Sequence, residues 1–274
     1  MSLVRSALEV WRFRELVWTL AWKEIVVRYK QAYLGTAWTV LKPIMLMLVF
    51  TLMRSFIGID SGSIPYPVLT FTALIPWVFF QEGVAIGVTS VVLNAVLVKK
   101  IYFPREVFPL TSVLTKVVEF CVDMLVLFGL MAWYGMVPSV QIVWLPVLLL
   151  YLIVTTLAVN LAGAALNVYY RDVSQLLPVA ISLVMYASPI IYPLSLVKQT
   201  LLERMAAGEF SRQLYFVYTM NPLVGIIDAF QNIVLRGYGP DMAVIWPGAL
   251  LVTVILPMSY ATFKRMESSF ADVI

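Results

Sequence analysis

The chain has 274 residues, of which 62% are hydrophobic and only 12% are charged. Soluble domains carry about 25% charged residues, so this composition, with a mean hydropathy of +0.92, excludes a soluble globular protein and predicts an integral membrane protein. The formal net charge of +4 does not indicate nucleic-acid binding, because the basic residues lie beside the apolar segments rather than on one soluble face.

Several kinds of chemistry are disfavoured by what the sequence lacks. It contains no histidine, which removes the commonest general base and the commonest transition-metal ligand. Its single cysteine, Cys121, cannot form a disulfide within the chain. No segment matches the phosphate-binding pattern G-x-x-x-x-G-K-[ST]. We therefore expect no catalytic residue, no metal and no cofactor in this chain, and any ATP-driven work would need a separate ATPase.

Residues 1–35 are predicted to form a basic, amphipathic segment on the cytoplasmic side, before the membrane domain of residues 36–274. Trp11, Leu16, Trp18 and Leu20 can share one face of a helix, with the basic side chains opposite. That pattern is typical of a helix lying in the membrane interface. The alternative is a surface helix that packs on a soluble partner.

Six apolar stretches follow, and they predict an all-α membrane fold with six transmembrane helices. They cover residues 36–57, 68–98, 107–133, 142–166, 173–191 and 242–263. The second stretch exceeds the ~20 residues that one straight span needs. Because it contains Pro76, Gly83 and Gly87, we expect a kinked or discontinuous helix there.

Four charged residues are predicted to lie at membrane depth. Lys116, Glu119 and Asp123 have the spacing i, i+3 and i+7, so they share one face of the third span and can pair. They form either a proton or ion relay or an internally neutralised polar seam, and we favour the seam because paired charges on one helix need no transport role. Glu82 lies within the second apolar stretch, and a charged residue there indicates either a functional site or a helix break that gives this carboxylate access to water.

The loop between the second and third spans, residues 94–109 (the basic loop), carries the densest charge. It contains four charged residues and two prolines, and Lys99, Lys100 and Arg105 are basic while Glu106 is acidic. Such a cluster cannot lie in hydrocarbon, so the chain leaves the bilayer here. Because short basic loops face the cytoplasm, this loop predicts that both termini are cytoplasmic as well.

The basic loop resembles a known signature. Asn94, Lys99, Lys100, residues 102–106 and Pro109 resemble the cytoplasmic loop of the ABC-type permeases that export polysaccharides. Residues 22–35, 169–172 and 188–193 resemble other parts of the same family, so that the likeness covers most of the chain. In that family the loop is a coupling helix that docks on a separate ATPase. The resemblance thus implies ATPase contacts by Lys99, Lys100, Tyr102, Phe103, Arg105 and Glu106.

The same resemblance implies a membrane subunit of the bacterial cytoplasmic (inner) membrane that exports a lipid-linked cell-envelope polysaccharide. O-antigen, capsule and teichoic-acid exporters all fit. The expected assembly is a homodimer of this chain with two ATPase subunits, which would bind ATP and Mg²⁺. Its other partners would be the lipid-linked polysaccharide and membrane lipids, with no nucleic acid.

Two sets of residues are candidates for contact with such a substrate. The faces of aromatic rings stack on sugars, and our candidates for the channel are Trp38, Phe50, Tyr186 and Tyr192. Arg28 and Lys30 present cationic donors beside the first span, and they suit the pyrophosphate of a lipid carrier. The alternative for these two is attraction to anionic lipid headgroups.

Residues 194–241, the outer segment, contain helical patterns too short to cross a bilayer. The most apolar of them covers residues 223–235 and follows Asn221 and Pro222. In the resembled family this segment forms gate helices over the exit, so we expect re-entrant or outer gate helices before the last span. The alternative is a static cap.

Two rival functions stay open at this point. One is a membrane-embedded enzyme acting on lipid-linked sugars, and the other is an ion-coupled transporter using Lys116, Glu119 and Asp123. The enzyme would need acids clustered at the interface, whereas the cytoplasmic acids are few. These are Glu24, Glu106, Asp172, Glu267 and Asp272. An adjacent ATPase gene would favour export over both rivals.

Overall fold

The computed structural model describes residues 12–30, 37–57, 64–101, 103–206 and 211–274, and within these ranges the chain forms helices and no strands. The predicted all-helical class is therefore confirmed. The α-helices are α1 Arg14–Tyr29, α2 Ala37–Ile57, α3 Tyr66–Leu93, α4 Ala95–Lys100, α5 Val107–Trp133, α6 Leu145–Tyr169, α7 Asp172–Tyr186, α8 Leu194–Ala206, α9 Ser211–Met220, α10 Pro222–Gln231, α11 Met242–Glu267 and α12 Phe270–Val273. A 3-10 turn, Val140–Trp144, precedes α6, and a π-helical turn, Asn232–Arg236, follows α10.

Helix α3 is the centre of the bundle. It packs against α2, α5, α6, α7 and α10. A helix that is apolar on every side is usually buried, and α3 has one charged residue, Glu82, in 28. Val68, Trp77 and Val91, which lie at different heights along it, are all fully buried.

The second apolar stretch was predicted to form a kinked or discontinuous helix, and it is not discontinuous at the residues that suggested a break. Helix α3 is continuous through Pro76, Gly83 and Gly87, and it ends only before Asn94, where the backbone turns into the short α4. The two glycines are points of close contact with α6, which small residues permit. The helix break that was one of the two explanations for Glu82 is therefore absent.

The described part of the chain holds three helical segments that are long and apolar enough to cross a membrane, namely Tyr66–Leu93, Val140–Tyr169 and Met242–Glu267. Helix α5 is also 27 residues long, but it carries three charged residues. Helix α7 has 15 residues, or about 22 Å, because it ends at Tyr186 instead of continuing to residue 191 as predicted. The count of six spans stays a prediction.

The N-terminal helix α1 packs on α5 of this chain, with Val17 and Ala21 buried. Trp18 is exposed, so the predicted face that placed it beside Leu16 and Leu20 is wrong in that respect. Leu16 and Leu20 pack against the same hydrophobic cluster as Val17, whereas Trp18, two residues from each, lies on the opposite side of the helix. Trp11 lies outside the described residues.

Helix α10, the most apolar part of the outer segment, is buried between α3, α6 and α11. The side chain of Asn221 accepts a hydrogen bond from the Leu223 amide and caps its first turn. On α11, Gly248 lies so close to Pro222 that a Cβ there would be 2.7 Å from the Pro222 Cα. The π-helical turn ends at Gly237, whose φ of 77° suits glycine. This helix is thus inserted into the bundle rather than resting on its surface.

Candidate functional site

Four charged side chains from three helices form a connected cluster that runs from the surface of the bundle to its interior (the charge cluster: Lys42, Glu82, Lys116 and Glu119). Lys116 on α5 is 1% exposed and donates to Glu82 on α3 at 2.5 Å. It also forms an ion pair with Glu119, one turn further along α5. Glu82 completes the chain by accepting from Lys42 on α2 at 2.9 Å.

The packing of α3 makes room for this cluster. Gly83 follows Glu82, and a Cβ at Gly83 would lie 3.7 Å from the Lys116 Cγ and 3.0 Å from a methyl group of Thr156 on α6. The aliphatic stem of Lys116 therefore passes over a glycine. This placement brings the ammonium group to both carboxylates.

The structure confirms only part of the predicted charge seam. Lys116 and Glu119 pair, but Asp123 is buried and forms no ion pair within the described ranges. Glu82, which the sequence treated separately, belongs to the cluster. Lys42, which the sequence analysis did not single out, also belongs to it through its pair with Glu82. These pairs could have been sought from the sequence, because a charged side chain at membrane depth needs an opposite charge on a neighbouring helix.

A second polar contact, which the sequence analysis missed, joins α6 to α3 and α5. The Asn160 side chain on α6 donates to the Gly83 carbonyl at 3.1 Å and to the Ser112 hydroxyl at 3.3 Å. Asn160 occupies the space that a side chain at Gly87 would need, since a Cβ there would be 2.1 Å from the Asn160 Nδ2. This amide and the charge cluster together tie α3, α5 and α6.

These groups are suited to holding helices together, because each lysine of the cluster contacts at least one carboxylate. Among the residues that the structure describes, no group of three or more His, Cys, Asp or Glu side chains could hold a metal ion. The internal pairing favours the polar seam over an ion relay.

The basic loop divides into an exposed part and a buried part. Lys99 and Lys100 end α4 and are exposed. Phe103 is buried, with its ring packed edge-on against Phe108 at a centroid distance of 5.3 Å. Glu106 is also buried and pairs with Lys264 at 2.6 Å. The candidate contacts for a partner therefore do not share one surface.

Other parts of the chain hold the remaining loop candidates in place or lie beyond what the structure describes. The backbone amide of Arg105 donates to Glu267 at 2.9 Å. Tyr102 and the side chain of Arg28 lie outside the described residues, and Lys30 is exposed at the end of α1.

The four aromatic candidates for a channel have different environments. Trp38 and Tyr186 are exposed on the outside of the single chain, at 42% and 66%. Tyr192 is half-buried and donates to the carbonyl of Tyr186 at 2.9 Å, so these two residues lie together. Phe50 is buried in the main hydrophobic core, so its ring faces the bundle interior here.

Comparison with known proteins yields a family and three similar permeases. Residues 15–235 match the family described as "ABC-2 type transporter". The chain is 29% identical over 273 residues to the O-antigen export system permease protein RfbA of Myxococcus xanthus, covering 99% of this chain and 100% of that protein. Two proteins of the same name from Klebsiella pneumoniae are 27% and 24% identical, each over 92% of both chains. The charge cluster and the basic loop both fall within the matched region.

Proposed function

The chain belongs to the ABC-2 type transporter family, and on this basis we propose that it is the membrane subunit of an ATP-driven exporter of lipid-linked polysaccharide. The polymer would be of the O-antigen, capsule or teichoic-acid type. The family is one of transporters, and its members work with an ABC ATPase. We infer that two copies of such an ATPase serve a dimer of this chain and bind the ATP and Mg²⁺.

One observation carries this proposal, namely the similarity to O-antigen export permeases along nearly the entire chain. A likeness of this extent includes every predicted span, the basic loop and the outer segment. The helical bundle supports it, because three of its helical segments suit a membrane by length and composition. The internally paired charge cluster gives no separate support to an ion-coupled mechanism.

We propose that the exposed part of the basic loop docks on the ATPase. Lys99 and Lys100 offer two cationic groups at the end of α4, and Tyr102 follows them in the sequence. Phe103 and Glu106 face the interior of this chain, so in this proposal they shape the loop rather than contact the partner. Arg105 lies between the two parts.

The polymer path is proposed to lie between two copies of the chain, because one bundle is too small to enclose a wide channel. Trp38 and Tyr186 expose their rings on the outer surface of the chain, where they are available to a second copy or to a sugar. Tyr192, beside Tyr186, belongs to the same set. Since Phe50 is buried in the core, the path is proposed without it.

The proposed topology places residues 1–35 and both chain ends in the cytoplasm, with six spans within residues 36–274. Lys30, which is exposed, and Arg28 would meet the pyrophosphate of the carrier at the cytoplasmic entrance. Residues 194–241 would cover the exit as a gate. Helix α10, which belongs to this segment, is buried, and that burial suits a static cap equally well.

Reversing two charges of the basic loop tests the coupling role. Lys99→Glu with Lys100→Glu should leave the protein inserted and folded, because both side chains are exposed. Like-charge contacts across an interface cost several kcal/mol, so we expect at least a roughly tenfold loss of copurifying ATPase. Lys198→Glu, an exposed reversal on α8, is the matched control and should retain the ATPase. Undiminished copurification with the double variant would refute the docking surface.

A further inference from the structure

The C-terminal segment, residues 264–274, holds the basic loop by two kinds of contact. The Lys264 ammonium lies between Glu106 of the loop at 2.6 Å and Glu267 of the next helical turn at 2.7 Å. The other oxygen of Glu267 accepts the backbone amide of Arg105 at 2.9 Å. One turn at the end of α11 therefore fixes both a side chain and the backbone of the loop.

These contacts are sheltered from water. The side chains of Glu106 and Glu267 are 7% and 12% exposed, and that of Lys264 is 20% exposed. Ion pairs on an open surface contribute little, whereas removing one partner of a buried pair is costly. The Tyr260 hydroxyl also donates to Glu106, at 3.3 Å. The loop is thus held by a network rather than by one surface pair.

The rest of the C-terminal segment is anchored in the bundle. Phe270 on α12 is fully buried and packs edge-on against Phe263 and Tyr169, at centroid distances of 5.4 and 6.4 Å. The Tyr169 hydroxyl donates to the carbonyl of Met266 at 3.2 Å. Helix α12 also contacts α4, the helix that presents Lys99 and Lys100. The tail therefore bridges the end of α6 and the start of the basic loop.

We propose that the C-terminal segment is a positioning element that sets the orientation of the basic loop, so that α11 and the loop move as one body. Glu106, Lys264 and Glu267 are its positioning residues, and they act through the loop rather than by touching the ATPase. Displacement of the loop by the ATPase would then be transmitted directly to the last long helix. This inference rests on the proposed coupling role of the loop.

The first test is hydrogen exchange at the Arg105 amide in the full chain, purified with the ABC ATPase encoded nearest to it in the genome. Glu267→Gln weakens the charged acceptor of that amide and one partner of Lys264. We expect exchange at the amide to rise roughly tenfold, while the ATPase stays bound through Lys99 and Lys100. Export in cells should fall. Asp272→Asn, an exposed acid of the same segment, is the matched control and should change neither readout.

Swapping the charges of Glu106 and Lys264 distinguishes a positioning role from general damage to the fold. Glu106→Lys alone places two ammonium groups beside one carboxylate, and Lys264→Glu alone places three carboxylates together. The double variant again has one lysine between two carboxylates, so we expect it to recover much of the export that each single variant loses.

Unchanged exchange at the Arg105 amide in Glu267→Gln would overturn the inference, and so would normal export with a loosened loop. Failure of the double variant to improve on both single variants would also count against it. If the wild-type chain retained no ATPase, the proposed function would be wrong. The exchange measurement alone would still decide whether the C-terminal segment holds the loop.

Discussion

Replacing Lys116 with methionine should destabilise the protein by about 3–5 kcal/mol, which is the usual cost of removing one partner from a buried ion pair. Methionine retains most of the stem that packs over Gly83, but it removes the cation that neutralises Glu82 and Glu119. Thermal unfolding of the purified protein in detergent would show this as a large fall in the midpoint.

Three further variants test whether this loss of stability comes from the removed charge. Glu82→Gln and Glu119→Gln added to Lys116→Met remove the two carboxylates that Lys116 contacts, and this triple variant should recover much of the stability. Lys42→Met should cost about 1 kcal/mol or less, because Lys42 is 58% exposed. Asp123→Asn should change little, since Asp123 forms no ion pair within the described ranges. A Lys116→Met protein as stable as the wild type would refute the charge cluster as a structural tie.

Substituting alanine for Gly87 should destabilise the contact between α3 and α6. The added Cβ would lie 2.1 Å from the Asn160 Nδ2, and Asn160 is held by Gly83 and Ser112. Overpacking of this kind costs about 1–3 kcal/mol, against a gain of at most about 1 kcal/mol from better helix propensity. Chemical or thermal unfolding should therefore show a net loss.

The chain offers a matched control at Gly129 on α5, where a Cβ would meet nothing within 4 Å. Gly129→Ala should be neutral or slightly stabilising. Adding Asn160→Ala to Gly87→Ala should relieve the clash, so the double variant should lose less than the sum of the two single losses. Equal tolerance of alanine at Gly87 and Gly129 would contradict the packing described for α3.

The ends of several helices could be predicted from sequence because local chemistry determines them. The third apolar stretch was placed at residues 107–133, and the structure has α5 at Val107–Trp133. The charges and prolines of the basic loop cannot continue a buried helix, so they mark its start. The first span was likewise placed within one residue of α2, Ala37–Ile57.

Features that depend on contacts between distant residues could not be read in the same way. Prolines and glycines in α3 suggested a break, but α6 packs against its glycines and the helix stays continuous. The sequence predicted that α1 lies in the membrane interface or on a soluble partner, and its packing on α5 of the same chain could not be read from the pattern of α1 alone. The pairing of Lys42 with Glu82 depends on two spans whose relative depth and rotation the sequence does not give.

The candidate site was predictable to a similar extent. The sequence located the basic loop and its charged residues, because a dense charge cluster between apolar stretches is a local pattern. It treated Lys99 and Glu106 as members of one contact surface, whereas the structure turns Glu106 inward to Lys264. That contact joins residues 158 positions apart, and only the packing of α11 beside the loop shows it.

The most direct test of the proposed function is the location of the polymer in cells that lack this chain. We expect the lipid-linked polysaccharide to accumulate on the cytoplasmic side of the inner membrane and to disappear from the cell surface. The wild-type chain should restore surface polymer only when its ATPase partner can hydrolyse ATP. Normal surface polymer without the chain, or restoration with an ATPase that cannot hydrolyse ATP, would contradict a role in ATP-driven polysaccharide export.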